Sequence, residues 1–153
     1  MRFYTERLRP GIWMFVAAFL IVPGTMLVLF PISIPAAVIS AIVLYVLVAG
    51  TLLYSSPTVS VVDKTFTAGR AQISVDQIGE IEAFSGEEAT AERGPRSDAR
   101  SYLMIRGWVD PILKITITDP NDPTPYWLVS TRRPHELADA IRTAQGASTT
   151  PSA

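Results

Sequence analysis

Few residues in this chain are of the types that carry out covalent chemistry. There is no cysteine and a single histidine, His135. A hydrolase or transferase needs a nucleophile beside a base, paired carboxylates, or metal ligands. His135 follows Pro134 at the expected start of a terminal helix and reads as a solvated helix-start residue. Asp119-x-Asn121-Asp122 has the opening spacing of a calcium loop. Its sixth position, however, is Thr124 instead of glycine, and its twelfth is Ser130 instead of glutamate. Turn chemistry among the prolines explains these carboxylates better. No glycine-rich phosphate loop is present. The residues therefore predict no catalytic site, no metal and no cofactor: the chain is not read as an enzyme.

Binding chemistry is better represented. Trp108, Tyr126, Trp127, Arg132 and Arg133 are of the types that anchor protein interfaces, and arginine forks onto carboxylate or phosphate. These five form the candidate binding surface. The blander alternative is packing, because large aromatics commonly serve cores. In an alternating strand Tyr126 and Trp127 face opposite ways, so only one of them belongs to the core. Arg132 and Arg133 read either as solvated charges before the helix or as a head-group contact.

The elements that position these residues begin with an apolar run. Between Arg9 and Asp63 there is no charged residue. Crossing a bilayer takes about 20 helical residues, so Gly11–Tyr54 suffices for two spans. Pro31 and Pro35 divide it, since neither fits inside a regular helix. The spans are read as about 11–30 and 35–54, with Pro35 in the first turn of the second. Pro23-Gly24 is expected to kink the first. Ala37 with Ala41, and Ala36 with Ser40, offer a close-packing face. A second span follows the first directly, so the first is read as retained rather than as a cleaved signal.

Basic flanks stay in the cytoplasm. Arg2, Arg7 and Arg9 precede the spans, the turn is uncharged, and Lys64 and Arg70 follow. Residues 1–10 are thus read as a basic cytoplasmic N-terminus, and both termini of this multi-pass cell-membrane protein as cytoplasmic. Tyr4, Trp13 and Tyr54 are expected at the interfaces. Apart from the phenols of Tyr45 and Tyr54 the spans carry nothing ionisable, which removes the charged relay of an ion-coupled transporter.

Residues 57–146 form the second unit. From Pro57 onward, ten Lys/Arg stand against thirteen Asp/Glu, a net of −3, which argues against nucleic-acid binding. Period-two alternation predicts strands at 58–62, 65–67, 71–74, 78–84, 102–105, 112–118 and 126–130, with Gly69 turning a hairpin. Ser85–Ser101 is charged; Glu88 and Glu92, one turn apart, suit a short helix in its first half, but nothing apolar gives that helix a core face, so the segment reads as a solvated surface loop. A helix is predicted over 134–145, with Leu137, Ala138, Ile141 and Ala144 facing the sheet. Residues 147–153 read as a disordered tail.

Six or seven short antiparallel strands closed by one helix resemble the bacterial pleckstrin-homology-like domains, a bent sheet or partly open barrel capped at one end. The fold class expected is thus a two-helix membrane hairpin followed by a small α+β domain. More specifically, three segments resemble a family of small actinobacterial membrane proteins, domain of unknown function family 3093. They are Tyr4-Thr5-Glu6-Arg7-Leu8, Arg106-Gly107-Trp108-Val109 and the long run from Asp119 to Pro134. Neither resemblance implies an activity.

Two functional readings follow. In one, a membrane-anchored interaction module binds another membrane or envelope protein. In the other, a lipid-sensing or envelope-associated subunit touches anionic head groups through Trp108, Arg132 and Arg133. A third reading is assembly with copies of itself through the spans.

Overall fold

A computed structural model describes residues 1–147; the tail expected at 147–153 falls, beyond Ala147, outside the described residues. The chain divides into two compact units, Arg9–Ser56 and a second made of Met1–Leu8 together with Pro57 onward.

The apolar unit is helical. Helices α1 (Ile12–Phe19) and α2 (Ile21–Leu29) form one interrupted rod, and α3 (Ile34–Tyr54) returns. Each rod is long and apolar enough to cross a membrane. The break at Leu20 has a cause in Pro23, which lacks an N–H and crowds the carbonyl four residues earlier. Ser33 caps α3, its hydroxyl accepting from the Ala36 amide at 3.5 Å, and Pro35 lies in the first turn. Ala37 and Ala41 are buried, as the small-residue spacing predicts. Phe19 meets Tyr45 edge-on at 5.9 Å.

The other unit holds eight strands in two four-stranded sheets. Seven are the strands expected. The eighth, β1 (Arg2–Arg7), lies in the segment read as a basic flank. In one sheet β1 pairs antiparallel with β2 (Thr58–Val62), followed by β3 (Thr65–Ala68) and β4 (Ala71–Ser74). The residues inserted between β1 and β2 are the whole apolar unit. Asp63, at φ 51°, turns β2 into β3, and Gly69, at φ 66°, turns β3 into β4. Both occupy the left-handed region that aspartate and glycine tolerate best.

The second sheet has the order β5 (Ile78–Phe84), β7 (Ile112–Ile117), β8 (Tyr126–Ser130), β6 (Tyr102–Met104). The expectation of a wholly antiparallel sheet fails at one place: β6 runs parallel to β8. Residues 105–125, with β7 among them, form the crossover from β6 to β8, which is long enough to bring the two strands side by side in the same direction. Gly79 interrupts the β5 register; a Cβ there would lie 2.8 Å from Thr118 Cγ2.

Helix α5 (Pro134–Gly146) buries Leu137, Ala138, Ala140, Ile141 and Ala144. Together with the inward residues of both sheets they form one core. The charged segment after β5 is not simply a solvated loop. Its first half is α4 (Gly86–Arg93), with Ala89 and Glu92 buried. Ala89 packs with Ile112 and Leu128 on the outer face of the second sheet. Glu92 accepts from Lys114 Nζ at 3.0 Å and Arg96 at 3.5 Å, so a carboxylate occupies a position where an apolar residue would have signalled a helix face.

Candidate functional site

Strand β1 alternates. Tyr4, Glu6 and Leu8 turn inward, while Thr5 and Arg7 face out. This alternation places a carboxylate in the core, and such a group is costly unless it is satisfied. Glu6 is satisfied three times. Its Oε2 accepts from the Tyr4 hydroxyl at 2.7 Å and from the Thr131 hydroxyl at 2.6 Å, and its Oε1 accepts from the Arg132 amide at 3.1 Å. The Arg133 amide donates in turn to Thr131 Oγ1 at 3.2 Å. The segment between β8 and α5 is thereby fastened to the first strand.

Burial is the main influence on the Tyr4 hydroxyl. A hydrogen bond with Thr131 opposes it, the Glu6 carboxylate adds to it by hydrogen bond and charge, and Arg133 opposes it; the pKa is pushed up to about 12. Tyr4 is a neutral donor in this cluster. It lies in the core of the domain, and the expectation of a membrane-interface position for it is corrected. Trp13 and Tyr54 are exposed on the helices.

The end of β1 carries a second fastening. The Leu8 amide donates to the Pro57 carbonyl at 3.0 Å, continuing the Arg7–Thr58 pairing. The Leu8 carbonyl accepts from Trp108 Nε1 at 3.2 Å. The indole is half-buried there, at the point where the chain leaves the domain.

Three of the five candidate residues thus gather around the end of β1: Trp108 on Leu8, Arg132 on Glu6, and Arg133 beside Tyr4. The Arg133 guanidinium stands 5.2 Å from the Tyr4 ring centroid and pairs with Glu136 at 2.8 Å. The other two lie elsewhere. Trp127 is a core residue, 5% exposed, against Tyr102 at 4.9 Å and Phe66 at 6.0 Å, and it drops out of the candidate surface. Burying an indole of roughly 200 Å² contributes about 5 kcal/mol. Tyr126 faces the other way, below α4, with Lys114 Nζ 4.6 Å from its ring and its hydroxyl accepting from the Asp98 amide at 2.7 Å.

The carboxylates of the proline-rich loop are used internally. Asp119 accepts from the Asn121 amide and from the Gln77 side chain, and Asp122 accepts from Thr124, a hydrogen bond that holds its carboxyl below the usual range. Among the described residues no group of three or more His, Cys, Asp or Glu side chains is placed to hold a metal ion. Sequence reading missed Tyr4, Glu6, Leu8 and Thr131. The signal available was the inward alternation of 4, 6 and 8, concealed by the charge at its centre.

The family model described as a protein of unknown function, DUF3093, matches residues 3–141. The chain belongs to this family. The DUF3093 match starts within β1 and ends within α5, so it takes in both sides of the Glu6 fastening and the apolar helices between β1 and β2. No curated protein and no solved structure matches the chain.

Proposed function

We propose that the protein is a membrane-anchored, non-catalytic interaction module of the cell membrane, with a pleckstrin-like domain at the inner leaflet and both termini cytoplasmic. One observation carries the anchoring: β1 and β2 pair with each other across the apolar unit. Arg7 and Thr58 must then lie on the same side of any membrane, which requires an even number of crossings between them. Two apolar rods supply that number. Removal of the first span as a signal would also remove Tyr4 and Leu8 from the core. The basic residues around β1 favour the cytoplasmic side.

The non-catalytic reading draws support from the two buried carboxylates, Glu6 and Glu92, whose oxygens are engaged by fixed partners. The interaction reading draws on the sheet edges, β4 in one sheet and β6 in the other, the latter carrying the exposed Leu103. Purification from native membranes in a gentle detergent tests it, comparing the full chain with one ending at Tyr54. A stoichiometric protein partner retained only by the full chain is expected. Recovery of lipid and the chain itself alone would contradict the adaptor role.

A further inference from the structure

We propose that the end of the domain formed by Arg7, Trp108, Arg132 and Arg133 is a docking surface for anionic lipid head groups; this rests on the membrane-anchored reading above. Negative charge is turned away from the surface at this end. The Glu6 carboxylate is turned inward and is 7% exposed, consumed by Tyr4, Thr131 and the Arg132 amide. It is the acidic residue nearest in sequence to Arg7, and its side chain points away from the surface. The Arg7 guanidinium is exposed and forms no ion pair among the described residues.

Arg132 is carried to the same end by its amide bond to Glu6. Arg133 lies alongside it, over Tyr4, with one exposed partner in Glu136. An exposed pair of this kind is readily exchanged for another anion. Folding has therefore buried the carboxylate that adjoins Arg7 and left the Arg7, Arg132 and Arg133 side chains exposed, and the fork of arginine suits phosphate oxygens.

The choice of occupant follows from the chain itself. Leu8 and Pro57, joined by their own hydrogen bond, are the two exits of the domain. From Leu8 the chain reaches the first residue of an apolar helix at Ile12. Trp108 donates its indole N–H to that same Leu8 carbonyl, leaving an amphipathic ring beside the exit, as is usual at head-group level. Basic residues flanking a span are drawn to the anionic inner leaflet. Positive charge, an indole and a span entry at one end of the domain match a lipid surface. The domain as a whole has an acid excess and does not match it.

The test uses the full chain in lipid nanodiscs. Gly107 adjoins Trp108 and has nothing within 4 Å of an added Cβ. The chain has no cysteine, so Gly107→Cys accepts a single environment-sensitive dye. The expected result is a blue-shifted emission in phosphatidylcholine discs containing phosphatidylglycerol, compared with phosphatidylcholine alone. Raised salt, which screens the attraction, should reverse the shift, and Arg7→Gln with Arg132→Gln should abolish it. Identical emission in both lipids, or a shift unchanged in the double variant, would overturn the head-group contact while leaving the anchored module intact. Failure of the chain to enter either disc would overturn the anchored reading and the contact with it.

Discussion

The amide of Leu8 is hydrogen-bonded to the carbonyl of Pro57 at 3.0 Å, across the whole apolar segment that separates them in sequence. Strand β1 is thus the first strand of the domain, and the two apolar rods are an insertion in its first β-hairpin. Replacing Arg9–Ser56 with a short Gly/Ser turn should therefore give a folded, water-soluble domain with dispersed amide resonances. A chain beginning at Pro57 should not fold. It lacks the burial of Tyr4 and Leu8, about 1.5–3 kcal/mol each, and leaves Thr131 and the Arg132 amide without their acceptor. Together these losses rival the whole stability of a small domain.

Glu6 accepts three neutral donors, so Glu6→Ala leaves two hydroxyls and an amide without it. Each orphaned buried group costs about 1–3 kcal/mol, and a destabilisation of roughly 3 kcal/mol is expected by denaturant titration. Glu6→Gln should fall between the variant and the wild type, because it keeps one acceptor oxygen and places an amide against the remaining donor.

Tyr4 supplies a pH dependence. Its hydroxyl has a higher pKa in the folded protein, about 12, than the ordinary phenol value of 10.0. Folding therefore favours the protonated form. The contribution to stability is complete below pH 10 and is lost as pH rises from there through about 12. Tyr4→Phe should remove this alkaline loss from the stability profile, and an unchanged slope over the same range would show that another group titrates.

Glu92 and Lys114 join α4 to the second sheet at 3.0 Å, with side chains 7% and 22% exposed. Removing Lys114 leaves the buried Glu92 with only the longer Arg96 contact, and removing Glu92 leaves Lys114 with only the Tyr126 ring. A double-mutant cycle with Glu92→Gln and Lys114→Met should show coupling of about 1–3 kcal/mol.

Long periodic patterns were legible in the sequence. The two apolar rods, their proline-marked turn, the seven strands after Pro57 and the apolar face of α5 follow from spacing alone. What escaped reading were elements whose inward positions hold charged residues. In β1 the inward set is Tyr4, Glu6 and Leu8, and the carboxylate at its centre interrupts the apolar alternation. In α4 the buried pair is Ala89 and Glu92. Each carboxylate has one local partner, Tyr4 or Arg96, but is held in place by partners remote in the chain, Thr131 and Arg132 for one and Lys114 for the other, and no local rule finds the remote ones. The parallel pairing of β6 is likewise set by distant strands. The candidate surface was legible in part: Trp108, Arg132 and Arg133 converge, but only around a strand that spacing did not reveal.

The central claim is that β1 and the rest of the domain share one side of the membrane, joined through two spans. Single cysteines at Thr5, Gln72 and Ile32, in the otherwise cysteine-free chain, allow labelling of intact cells with a membrane-impermeant maleimide. Thr5→Cys and Gln72→Cys should stay protected until the cells are opened, while Ile32→Cys, in the turn between the rods, should label from outside. Labelling of Thr5→Cys and Gln72→Cys from opposite sides would contradict the account, because β1 could not then pair with β2.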